Sequence, residues 1–186
     1  MSDSAEGSPV IQIALEDTFQ QRPVNTQIHK PFLIARLMES PAAVDNSLEY
    51  HIHLQDIGSP GTRSTRVRWT WTDEMIPPTP LAVQAENITE VAAYALAFAV
   101  ISTFTEASLM TVARRGERFD YVLSENGARC GVEISGTQTE NRQMMRDRQA
   151  QKIRQLLDNP SGWGGYVVIV GFARREVLLS RHAPGE

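Results

Sequence analysis

The chain has one cysteine, Cys130, and two lysines, Lys30 and Lys152, among 186 residues. A single thiol excludes an internal disulfide and any multi-cysteine zinc cage, a usage that suits a cytoplasmic protein. No basic segment followed by an apolar run opens the sequence, so no signal peptide or transit sequence is expected. Long hydrophobic runs are also lacking. The longest, Val91 to Thr105, is bounded by Glu90 and Glu106 and falls short of the ~20 residues a bilayer span needs. A buried helix is expected there, and no membrane partner. Repeats and low-complexity tracts are missing at any useful period. With 41% apolar and 22% charged residues, the composition is that of a folded soluble protein, one domain with at most a modest extension.

Charge is unevenly spread. Residues 1 to 113 carry 6 basic and 13 acidic side chains, whereas residues 114 to 186 carry 12 basic and 9 acidic ones. The second part is the basic one, which permits a polyanion partner, although its excess is far below that of a dedicated nucleic-acid binder.

Met1 to Pro9 is small and polar and reads as a flexible N-terminus, followed by a strand-rich region over residues 10–80 and an α/β core over residues 81–186. Val10 to Leu15, Phe32 to Met38, Leu48 to Leu54 and Thr65 to Trp71 are expected strands; in the last, Val67, Trp69 and Trp71 share one face by period-two geometry. Beyond the stiff Pro77-Pro78-Thr79-Pro80 connector, Asn87-Ile88-Thr89-Glu90 resembles a capping box and predicts a helix ending near Arg114-Arg115-Gly116. Two strands, Phe119 to Leu123 and Ala128 to Ser135, flank Asn126-Gly127, a strong hairpin signal. Thr137-Gln138-Thr139-Glu140 reads as a second capping box opening a polar helix to about Leu157, and Tyr166 to Val170 is a strand covered on both faces, with a last strand at Val177 to Ser180. The fold expected is α/β (α+β), a mixed central sheet flanked by helices.

The hairpin brings Asp120, at the start of one strand, level with Glu133 on its partner. Two neighbouring carboxylates suit Mg²⁺, a hard cation that takes oxygen ligands and leaves room for water and a substrate phosphate. With this element order, Phe119-Asp120-Tyr121 followed by Gly131-Val132-Glu133-Ile134-Ser135 resembles the PD-(D/E)xK restriction-endonuclease-like superfamily over roughly Glu90 to Ser180. The resemblance implies an endonuclease-like core with an N-terminal strand-rich extension. It also implies Mg²⁺ as cofactor, Asp120 and Glu133 as metal ligands, and an assisting acid on the first helix, for which Glu90 and Glu106 are nearest.

Ser135 stands where the superfamily has its water-activating lysine, and a serine hydroxyl does not replace an ammonium. Lys152 lies ~20 Å along the following helix at ~1.5 Å per residue, so Gln138, Arg142 and Arg146 are the nearer replacements expected. Arg142, Arg146 and Lys152 are candidate phosphate contacts. The function implied is a metal-dependent, possible Mg²⁺ endonuclease acting on nucleic-acid phosphodiesters. The alternative is a non-catalytic module of that fold binding nucleic acid, a protein partner or a second copy of itself.

Other residues suggest less. His51 and His53 share a strand face but have no third ligand at a diagnostic spacing. Cys130 reads as a buried inert thiol. Trp69, Trp71 and Trp163 could stack on bases, though core packing accounts for the first two.

Overall fold

The computed structural model describes residues 9–20, 27–79, 81–138 and 141–184. The expected alternation gives β1 (Val10–Ala14), β2 (Ser47–Gln55) and β3 (Thr62–Thr70). Leu48, Tyr50, Ile52 and Leu54 of β2 and Val67 and Trp69 of β3 point into the core, followed by Trp71, while Arg66 and Arg68 occupy the opposite face.

Helix α1 (Leu15–Gln20) follows β1 directly, and Phe32 to Met38 proves not to be a strand. It belongs to helix α2 (Lys30–Met38), with Pro31 in the first turn and Leu33, Ile34 and Leu37 buried at helical spacing. A short apolar run fits either period, and packing against a neighbouring helix decides it. That neighbour, α3 (Ala85–Phe104), starts before Asn87 and has Gln84 as its N-cap residue, so Asn87 sits inside the first turn and forms no capping box.

Helix α3 also stops at Phe104, well short of Arg114. Thr105 is extended, and Ser108 to Val112 form a further strand, β4, that the apolar pattern had merged into the helix. By length and apolarity α3 could cross a membrane, but most of it is buried in the protein's own core. Such burial is that of a core helix in an α/β domain.

Strands β5 (Tyr121–Glu125) and β6 (Ala128–Thr137) form the expected hairpin. Asn126 and Gly127 have φ of 51° and 79°, the two positive values that a type I′ turn requires. Thr137 lies within β6, so it does not cap the next helix; Thr139 and Glu140 of the expected capping box fall outside the described residues. Helix α4 (Arg142–Leu157) is capped by Asn141, whose Oδ1 accepts from the Met144 amide at 3.0 Å. Strands β7 (Gly165–Gly171), buried throughout, and β8 (Glu176–His182) complete the chain.

All eight strands form one mixed sheet in the order β1-β3-β2-β8-β7-β6-β5-β4, so the N-terminal strands extend the core sheet through a parallel β2–β8 pairing. On one face, α1, α2 and α3 cover the main apolar core. Among the described residues the other face carries α4 alone, over a small cluster of Met145, Leu156, Val167, Ile169 and Leu178.

Helix α3 approaches β6 closely at Gly136. A Cβ there would lie 2.7 Å from Ala93 Cβ and 2.8 Å from the Thr89 carbonyl oxygen. Gly136→Ala is expected to cost about 1–3 kcal/mol, read as a lower urea midpoint at unchanged slope.

Candidate active site

Strand pairing places Asp120 beside Glu133, as the hairpin reading expected. Tyr121 pairs with Val132, and the Asp120 amide donates to the Val132 carbonyl at 3.0 Å, extending the ladder by one residue. Glu133 projects to the α4 side of the sheet and is wholly buried. The amide of Ile134 donates to Asp120 Oδ2 at 2.8 Å and fixes that carboxylate at the mouth of the site.

The cation arrives from α4. Lys152 Nζ contacts Glu133 Oε2 directly and stands 3.9 Å from Asp120 Oδ2. One turn on, Gln155 Nε2 donates to Glu133 Oε1 at 2.9 Å, so each oxygen of the buried carboxylate has a donor. Lys152 and Asp120 side chains retain 20% and 26% exposure against none for Glu133, so the site reaches solvent through them.

Measuring from the helix start, which favoured Gln138, Arg142 and Arg146 over Lys152, overlooked chain direction. Strands β6 and β7 are parallel, so α4 must run back along β6 to reach the start of β7. Lys152 lies about 15 Å along α4 from Arg142, and Glu133 about 13 Å back from the end of β6. The two displacements cancel.

The nearer candidates lie elsewhere. Gln138 follows β6, about 16 Å along the strand from Glu133, and its buried Oε1 has no hydrogen-bond partner. Arg142 Nη2 contacts His53 Nε2 at 3.0 Å and Arg142 Nε lies 3.6 Å from Glu176. Arg146 joins Arg142 in a cleft on the β2 flank of α4. Ser135 instead accepts from Arg148 Nη1 at 3.4 Å.

Glu90 is exposed near the start of α3 and accepts from Tyr94 Oη at 2.7 Å. Its charge reaches Asp120 without a direct bond. Glu106 lies beyond the far end of α3. His53 Nδ1 contacts Ser64 Oγ at 2.8 Å, and no group of three or more metal-ligating side chains occurs among the described residues. Cys130 is buried, its thiol pushed up to about 11 by desolvation. Trp163 stacks on Phe119 with ring centroids 5.9 Å apart.

Burial raises both site carboxylates. For Asp120 desolvation outweighs the Ile134 hydrogen bond and the Lys152 charge, and Glu90 adds to the rise. Glu133 is pushed up to about 7 by desolvation, opposed by its Lys152 hydrogen bond and reinforced by Asp120. In both, the contact with Lys152 opposes the rise without overcoming desolvation.

No family model, curated protein or solved structure matches the chain.

Glu133 holds its proton more tightly in the folded chain than in the unfolded one. Between the ordinary carboxylate range and about 7, the folded state therefore binds more protons, and rising pH removes stability. Wild type is expected to lose stability relative to Glu133→Gln between about pH 5 and about pH 8, followed by urea midpoints. Equal pH slopes would contradict this electrostatic description.

Proposed function

We propose that the chain is a divalent-metal-dependent phosphodiesterase acting on nucleic acid. In this reading the core is restriction-endonuclease-like, and α4 supplies the lysine that the strand motif lacks. The observation that carries the reading is the position of Lys152 Nζ against Glu133 and beside Asp120. Ser135 ceases to be an objection once an ammonium reaches the same carboxylates from another element.

The donor set suits Mg²⁺. Two adjacent carboxylates face one ammonium, and a hard divalent cation takes carboxylate oxygens as ligands. Asp120 and Glu133 would hold the cation, which when bound polarises a phosphate oxygen and increases the acidity of water.

The remaining chemistry falls to the chain itself. Gln155 fixes Glu133 by its second oxygen, and the Ile134 amide fixes Asp120. Lys152 orients the attacking water and offsets charge developing on the phosphate. Water adds to phosphorus and gives up a proton to solvent, the bond from phosphorus to the leaving sugar oxygen breaks, and that oxygen takes up a proton from solvent.

One observation favours the non-catalytic alternative: Lys152 already satisfies the buried carboxylate. Cleavage of mixed DNA and RNA with Mg²⁺ or Mn²⁺ decides between them. Wild type is expected to cleave, and Asp120→Asn, Glu133→Gln and Lys152→Met to lose about 100-fold or more. Gln138→Ala should retain activity. Neither cleavage nor metal binding by wild type would select the non-catalytic reading, and activity surviving all three site substitutions would place the chemistry elsewhere.

A further inference from the structure

Among the described residues, no helix covers β2 and β3 on the α4 side of the sheet. Strand pairing sets Gln55 opposite Thr62, His53 opposite Ser64, His51 opposite Arg66 and Glu49 opposite Arg68, so one polar surface continues along both strands. Where it meets α4 it deepens into a cleft of about 390 Å³ between His53, Gln55, Thr62, Arg142, Arg146 and Gln149.

The charges here are unbalanced. Arg142 and Arg174 share one carboxylate, Glu176, at 3.6 and 3.1 Å. Arg146 has no ion pair among the described residues, leaving three guanidiniums to one carboxylate in a chain of net charge -4. Farther along the same face, Arg66 and Arg68 both reach Glu49, at 3.5 and 3.3 Å.

The cleft is also partly built. Burial and the Arg142 charge lower the proton affinity of His53, so its neutral ring accepts from Arg142 at Nε2 and donates from Nδ1 to Ser64. At the cleft floor Gln149 Nε2 donates to the fully buried Ser180 hydroxyl at 3.1 Å. The guanidinium of Arg142 and the amide of Gln149 are thereby held, while that of Arg146 is left to a ligand.

We propose that this face, from the α4 cleft along β3 to Arg68, is a track for the sugar-phosphate backbone of a nucleic acid. The identity of the polyanion rests on the phosphodiesterase reading, whereas the track lies on the opposite flank of α4 from Asp120 and Glu133. Guanidiniums and hydroxyls spaced along a strand suit repeated phosphates, because each arginine contacts one phosphate without reading sequence. From Thr62 to Arg68 the track measures about 20 Å, room for about six nucleotides at ~3.4 Å each.

The test uses the full chain in EDTA, where cleavage cannot interfere, with fluorescently labelled single-stranded and duplex oligonucleotides of graded length and anisotropy read against salt. Affinity should increase with length up to about six nucleotides and fall steeply with salt. Arg146→Gln combined with Arg68→Gln should weaken binding about tenfold or more and reduce the salt slope on duplex by about 0.9 per arginine. Both side chains are exposed. Glu49→Gln should tighten binding by removing the one carboxylate that Arg66 and Arg68 both reach, a gain that misfolding does not produce.

Equal affinity for wild type and the double variant would overturn the track, as would equal competition by polyglutamate. If wild type cleaves while the track variants bind normally, the track fails and the active site stands. If nothing is cleaved but the track variants lose binding, the track stands and the phosphodiesterase reading fails.

Discussion

A carboxyl group with no exposure to water needs hydrogen-bond donors for its oxygens, and the seating of α4 answers that need. Glu133 is wholly buried under the helix, and Lys152 and Gln155 supply a donor for each of its oxygens. Removing one partner of such a pair typically costs about 3–5 kcal/mol, because the other charge remains desolvated. The apolar cluster beneath α4 is small, so the polar clamp carries much of the burden of fixing the helix along β6.

The two faces of the sheet divide the work. Three helices close one face over a continuous core, with α3 drawn close at Gly136. That face gives rigidity. On the other, α4 shields Glu133 while Asp120 and Lys152 stay near solvent, and β2 and β3 remain open beyond it. The N-terminal strands form no separate layer, because β2 joins β8 and carries them into the same sheet.

Much of the fold was legible where a local signal had one structural solution. Asn126-Gly127 fixed the hairpin, and through it the neighbourhood of Asp120 and Glu133. The continuous apolar run at Tyr166 to Val170 marked the buried β7. Failures came where a local pattern admits two answers. Phe32 to Met38 is too short for its period to distinguish helix from strand, and Leu109 and Met110 continue a helical pattern that Thr105 in fact ends. Asn141 caps α4 where the Thr137 box was expected, because pairing with β7 keeps Thr137 in the strand.

The lysine was hidden for a different reason. No spacing in the sequence places Lys152 beside Glu133; the parallel β6–β7 pairing does, by sending α4 back along the strand. A strand-helix-strand reading carried one step further, to chain direction, contains that signal. It brings two carboxylates and one ammonium together from a hairpin and a helix.

The most direct measurement is anomalous diffraction from crystals of the wild-type chain soaked in Mn²⁺. A peak within coordinating reach of the Asp120 and Glu133 carboxylates is expected, absent from Asp120→Asn crystals. An undisturbed Lys152–Glu133 contact with no peak at the pair, at saturating Mn²⁺, would contradict it.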